Sequence, residues 1–329
     1  MSNPRATSIH PPRTIEGGRF TLTGEDLLGD SALPDVRVLD RPARVVFASS
    51  ARVAVAMPAG IAESGPLPVK VGGVAQGVSI AHAAPLATGL HQVDNPVFDR
   101  DGNLYVTYSG TRGQQVPVSI FRVRPNGTRE TFSSGIVNPT SMAIDPQGTV
   151  FVSSRFEGIV YRLEADGTTQ TFATDLGVAC GLAFAPDGTL FVGDRSGTIF
   201  KLDRSGRAQA FASLPSSVAA FHLALGSDGL YVTGPTLSPY DAIYRIDESG
   251  NVTTFSTSFG RPQGLAFNTA GELFVVDALA GASGLYRVPP TGAPELVLSG
   301  PGLIGVAFDP RGGAVVSSNS TAYRLPRWE

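Results

Sequence analysis

Residues Gly181–Asp194 read GLAFAPDGTLFVGD: an apolar stretch, a Pro-Asp-Gly turn, and a second apolar stretch. Glycine at the turn supplies the positive φ that a tight reversal needs, so the phrase reads as a β-hairpin. The same phrase recurs as NPVFDRDGNLYVTY, SMAIDPQGTVFVSS, HLALGSDGLYVTG, GLAFNTAGELFVVD and GVAFDPRGGAVVSS. Its turn glycines are Gly102, Gly148, Gly188, Gly229, Gly271 and Gly312. They stand roughly 40–46 residues apart, the period of propeller blades rather than of helical or leucine-rich repeats.

A second hairpin phrase follows within each repeat: FRVRPNGTRETF, YRLEADGTTQTF, FKLDRSGRAQAF, YRIDESGNVTTF and YRVPPTGAPELV. Two hairpins per repeat make a four-stranded blade, and six repeats predict a six-bladed β-propeller. The last repeat stops at YRLPRWE (Tyr323–Glu329), before its outer strand. The segment Gly77–Leu90, GVSIAHAAPLATGL, contains PLAT, which matches the outer-strand phrase TFAT at Thr171–Thr174. An N-terminal strand is therefore expected to complete the final blade and leave no open edge.

Residues before Gly77 lack the repeat. Short alternating stretches at Arg19–Glu25, Val36–Asp40, Ala43–Ser49, Arg52–Pro58 and Pro66–Gly73 predict a small β-sandwich. The organisation expected is all-β: an immunoglobulin-like sandwich over 1–76 and a propeller over 77–329, with a short restrained hinge near Gly72–Gly77. The phrases IHPPRTIEGGRFTLTG, RPARVVFASSARVAVAMPAG and PLPVKVGG resemble the IPT/TIG family of immunoglobulin-like domains. That resemblance implies a spacer or docking module.

Composition narrows the function classes. The 329 residues carry 25 Lys and Arg against 28 Asp and Glu, a net charge of -3, and no basic block stands out. Phosphate-backbone binding lacks its electrostatic footprint, so nucleic acid is not an expected partner. No apolar run reaches the ~20 residues needed to span a bilayer, so no membrane partner is expected either. The first residues lack the apolar core of a signal peptide, and the expected location is cytoplasmic. Cys180 is the single cysteine, so the fold rests on burial and not on disulfides.

In a propeller, the loops entering each inner strand and those joining the second strand to the third gather on one face, called here the top. Aligning the repeats puts Asp94, Thr140, Cys180, Phe221, Gln263 and Ile304 at the channel entrance, with Tyr108, Ser154, Arg155, Asp194, Arg195 and Asp277 on the second-to-third strand loops. Three such loops, SGTRGQQVP, GPTLSPYDA and ALAGASG, exceed what a turn needs. The expected activity is binding of a small molecule or a partner segment at this top-face channel.

The blades are similar to NHL repeats, which imply protein or RNA binding. They also resemble the SMP-30/gluconolactonase family, which implies hydrolysis of lactones with one divalent metal. That second resemblance implies metal ligands where this chain has Asp94 (in DNPVF), Cys180 (in ACGLAF) and Phe221 (in AFHLAL). Only Asp94 is a ligand for a hard cation, which needs several converging oxygens. A softer metal could use Cys180 and His222. The alternative reading is thus a divergent lactone hydrolase, with Asp94 as metal ligand and Asp94 and His222 as catalytic groups. Each candidate also has a plain structural role: Asp194 and Asp277 as turn caps, Cys180 as a buried filler, and His222 as a satisfied core residue.

Overall fold

The computed structural model describes residues 4–29, 33–279 and 282–325, and among these it contains strands and turns but no helix. Six four-stranded blades follow one another around a channel. Blade 2 shows the pattern: Pro139–Ile144, Val150–Ser154, Ile159–Leu163 and Thr169–Ala173 pair as consecutive antiparallel strands. At its first turn Gly148 takes φ +97°. There Asp145 accepts hydrogen bonds from Gln147 N (2.9 Å) and Thr149 N (2.8 Å) through one carboxylate oxygen. The Asp-x-x-Gly phrase thus encodes an Asx turn that needs glycine at its last corner.

Blade packing follows from two-sided burial of the middle strands. Leu190–Asp194 is buried at all five positions. The second strand's alternate side chains feed clusters between neighbouring blades, such as Phe151 with Leu182, Leu190 and Val192. Aromatic edges extend these contacts, as where Phe151 meets Phe172 and Phe184 at centroid distances of 5.0 and 4.9 Å.

Closure occurs at blade 6, where Pro85–Thr88 pairs antiparallel with Thr321–Leu325 as the fourth strand. Pro326–Glu329, the end of the YRLPRWE phrase, lie outside the described residues. Within Gly77–Leu90, PLAT is the propeller's strand, and Ala83 and Leu90 on either side of it enter the propeller core. Val74–His82 is instead a strand of the sandwich, hairpinned to Gly65–Val71 through Gly72 and Gly73. The expected hinge at Gly72–Gly77 is therefore a hairpin turn and the strand that follows it. The expected division at residues 76 and 77 falls inside that strand, and pairing carries the sandwich on to His82.

The sandwich packs the sheet containing Arg5–His10, Arg19–Glu25, Arg52–Ala56 and Arg44–Ala48 against strands that include Val36–Val38, Gly65–Val71 and Val74–His82. Phe20, Leu22, Val53, Val55, Val69 and Ile80 fill the space between them. The two modules share one sheet. Arg13–Thr14 lies parallel to both Val74–His82 of the sandwich and Glu295–Ser299, the outer strand of blade 5, giving nine strands in sequence. Thr14, fully buried, donates through Oγ1 to Ser299 O (3.2 Å), and Ile15 N donates to the same carbonyl (3.1 Å). Ile15 then enters the apolar core of blades 5 and 6 beside Phe274 and Leu298.

Candidate functional site: the channel and the loops above it

The inner strand of blade 1 is cut to Val97–Phe98, which releases the segment before it to enter the channel. Its base is pinned where Gln92 N donates to Asn319 O (2.8 Å) and Asn319 Nδ2 donates back to Gln92 O (3.0 Å). Asn95 then bridges two further blades. Its Nδ2 donates to Leu265 O in blade 5 (2.9 Å), and its Oδ1 accepts from Val306 N in blade 6 (2.9 Å). A Cβ at Gly264 would stand 2.2 Å from Asn95 Oδ1, so the bare glycine makes room for this reach.

Asp94 meets His222 across the ring, from blade 1 to the opposite blade 4. His222 Nδ1 lies 2.6 Å from Asp94 Oδ1, which also accepts from Asn95 N at 2.7 Å. A carboxylate only accepts, so Nδ1 carries the proton. Both side chains are essentially inaccessible, at 3% and 1% exposure. His222 Nε2 is buried without a partner among the described residues. The pair closes the channel. A cavity of about 390 Å³ lies on the far side of this plug, lined by Asp94, Asn95, Ser141 and inner-strand residues such as Leu182 and Leu223.

At two of the remaining channel positions the backbone carbonyl ties one blade to the next, and at a third the side chain bonds locally. Ser153 Oγ donates to Cys180 O (2.6 Å), and Thr233 Oγ1 donates to Gln263 O (2.5 Å), each linking one blade to the next. Thr140 Oγ1 donates to Asn138 O (3.0 Å). Cys180 is buried, its Sγ 3.2 Å from Val178 O, and burial pushes its thiol up to about 12. Such a thiol is neutral at physiological pH and does not act as a nucleophile.

Phe221 departs from its expected place at the channel mouth. It is 1% exposed and belongs to the apolar cluster between blades 3 and 4. Gly193 and Gly234 make that possible, since a Cβ on them would come within 3.0 and 2.4 Å of Phe221. Asp194 and Asp277 are turned inward as caps. Asp194 accepts from Val178 N (2.8 Å) and from Ser196, while Asp277 accepts from Arg261 N (2.7 Å) and Gly260 N (3.2 Å).

Arg155 and Arg195 differ from these. They directly follow the second strands of adjacent blades 2 and 3, at the same register, and both are partly exposed. Neither guanidinium has a hydrogen-bond or ion-pair partner among the described residues. Burial holds the Arg155 guanidinium below its usual range; neighbouring Cys180 opposes this, while Arg195 and Arg112 add to it. The same burial and the charge of Arg155 lower His91.

Sequence reasoning missed Arg112, Asn95 and Asn138. Asn138 takes φ +47° and orders the SGTRGQQVP loop, donating to Ser109 O (2.6 Å) and Thr111 O (2.8 Å) and accepting from Gly113 N (2.7 Å). The signal available for the two asparagines was their place just before the inner strands of blades 1 and 2. Within ALAGASG, Ala280 and Gly281 lie outside the described residues.

A divalent cation does not fit the channel residues. The Asp94 oxygen facing the channel is engaged by an imidazole N–H and a backbone N–H, and Phe221 is withdrawn between blades. Among the described residues no three His, Cys, Asp or Glu side chains converge in a metal-holding arrangement.

Comparison with known proteins agrees with the two-module organisation. Residues 4–83 match the IPT/TIG domain family model. No curated protein matches. Among solved structures, an auxiliary nutrient binding protein from Bacteroides ovatus is similar over 99% of both chains, at 14% identity and TM-score 0.58. A protein of unknown function from Bacteroides thetaiotaomicron covers 97% of both chains, at 12% identity and TM-score 0.60. A gluconolactonase from Xanthomonas campestris matches 74% of this chain and 88% of its own, at 17% identity and TM-score 0.59. At these identities the likeness is one of fold.

Proposed function

We propose that the chain is a binding protein whose propeller takes a small molecule on its top face, with the IPT/TIG domain held beside it as a fixed spacer. One observation carries this reading. The channel's polar side chains Asp94, His222, Gln92 and Thr140 are buried, whereas the loops above present exposed side chains with no partner among the described residues. Of the eight large apolar side chains that stand exposed among the described residues, Phe156, Val218, Leu237, Tyr240 and Leu279 lie on those loops. Monomeric proteins seldom leave such a concentration uncovered unless something binds it. The auxiliary nutrient binding protein from Bacteroides ovatus, which matches along its whole length, supports the same reading.

The Asp94–His222 pair favours a second reading, hydrolysis, because a carboxylate-oriented imidazole with a free Nε2 is a general-base arrangement. Burial of both groups counts against it, since no substrate atom reaches Nε2 while the plug is closed.

The two readings separate in one experiment. Metal-stripped protein is assayed against sugar and aliphatic lactones with Ca, Mg, Mn or Zn restored, and the same protein is screened for small molecules that raise its melting temperature. We expect no turnover, together with stabilising compounds whose effect disappears in Phe156→Ala and Tyr240→Ala. Metal-restored turnover abolished by Asp94→Ala would overturn the binding reading.

A further inference from the structure

Resting on the top-face reading, we infer that the ligand carries an oxyanion, a carboxylate or a phosphate, which Arg155 and Arg195 hold while an apolar body lies against Phe156. Most other arginines of the propeller are engaged; Arg261, which makes no side-chain bond among the described residues, is exposed, whereas Arg155 and Arg195 are partly buried. Arg245 pairs with Asp228 (2.8 Å), Arg287 with Glu295 (2.6 Å), Arg311 with Asp309 (2.8 Å), and Arg122 with Glu130. Arg100, Arg129, Arg204 and Arg324 each donate to a backbone carbonyl. Arg155, Arg195 and Arg112 do neither among the described residues, although the same loops contain acids.

Those acids are unavailable as counterions. Asp194 and Asp277 cap backbone amides, Asp94 faces His222, and Glu157, on the loop of Arg155, accepts from Tyr161 Oη (3.1 Å). The result is two forked donors at the same register of adjacent blades, with the charges of Arg195 and Arg112 both acting on Arg155. Concentrated, partly desolvated positive charge with no internal partner is unfavourable in the free protein, and an oxyanion relieves it. A planar guanidinium offers two parallel N–H donors to a carboxylate or phosphate, which a lysine cannot reproduce. Phe156 follows Arg155 directly on the same loop. Its side chain is 53% exposed, and its ring would stand 3.1 Å from a Cβ at Gly113, so the loop carrying Arg112 packs along its edge.

The test uses three aromatic probes on the full chain, followed by calorimetry: phenyl phosphate, benzoate and the neutral benzyl alcohol. We expect an anionic probe to bind, more weakly at high salt, and benzyl alcohol to bind at least about tenfold less tightly. Arg155→Gln with Arg195→Gln should weaken the anionic probe about tenfold or more, and the paired Lys substitutions should restore only part of it. Arg204→Gln, on the opposite face, should leave binding unchanged, and matching thermal melts would show that each variant is folded. Preference between phenyl phosphate and benzoate distinguishes phosphate from carboxylate. Anion binding indifferent to the paired Gln substitutions overturns the inference. Equal binding of benzyl alcohol that Phe156→Ala removes also overturns it, while leaving the top-face reading intact. Binding of none of the three probes overturns the inference as well, and the stabilisation screen then decides the wider reading.

Discussion

Three residues at the channel show how far a side chain's chemistry depends on where the ring puts it. Asp94 is the acid that sequence alignment singles out at the channel mouth, but 128 positions separate it from His222. Nothing local in either segment announces their meeting, because only ring closure brings blade 4 opposite blade 1. Cys180 was easier to read: a lone cysteine between Ala179 and Gly181 in an inner-strand phrase suggests a small filler, and burial makes it one. Its raised thiol has a consequence for stability. In the unfolded chain the thiol ionises near 9, whereas in the fold it keeps its proton to about 12. Above pH 9 the unfolded state binds fewer protons, so stability falls as pH rises, by at most about 1.4 kcal/mol per pH unit from this group. Below pH 9 its contribution is intact. Urea unfolding of Cys180→Ala should therefore show a shallower loss of stability than wild type between about pH 9 and pH 10.5, and equal slopes would refute the burial argument. Iodoacetamide at pH 8 should label wild type only after unfolding.

At the scale of elements, the blades were legible because their hairpins are encoded locally, by alternation and by Asp-x-x-Gly turns. The plug was not, since it results from a missing stretch of strand. Blade 1 has two inner-strand residues where blade 2 has six, Pro139–Ile144, and the unpaired chain is free to cross the channel. Asn95 replaces the lost strand pairing with side-chain bonds to blades 5 and 6. Removing its amide strands Leu265 O and Val306 N in a largely buried setting, where each unpaired group costs about 1–3 kcal/mol. Asn95→Ala is accordingly expected to lose about 2 kcal/mol in denaturant unfolding. It should also raise amide exchange at Val306, while that of Val152 in blade 2 stays at the level set by global unfolding. Equal acceleration at both amides would show that Asn95 is no local brace. The sandwich strands were legible for the same reason as the blades. Gly77–His82 is expected in the propeller because GVSIAH alternates as well for one module as for the other; the Gly72–Gly73 hairpin turn makes it part of the sandwich strand Val74–His82.

For the whole molecule, the decisive feature is a two-residue strand. Arg13–Thr14 joins sandwich and blade 5 into a single sheet, and Ile15 anchors it in the propeller core, so the modules have little freedom to swing. Sequence could not show this, since two residues carry no alternation and a parallel pairing leaves no turn signal. Rigid joining matters for the binding reading, because the spacer then holds the top face at a constant orientation. The seam is narrow at Gly18, where a Cβ would stand 2.3 Å from Thr14 Oγ1 and 2.4 Å from Ser299 O. Neither neighbour can yield without breaking the bonds that make the sheet continuous. Gly18→Val should open the seam while leaving each module its own core, at a cost of about 1–3 kcal/mol from overpacking. A continuous sheet predicts one cooperative transition for wild type, followed by fluorescence and by circular dichroism. The variant should show two transitions, with the propeller's lying at an unchanged denaturant concentration if its core is independent. If Gly18→Val still unfolds in one step at the wild-type midpoint, the modules are coupled through contacts other than this strand.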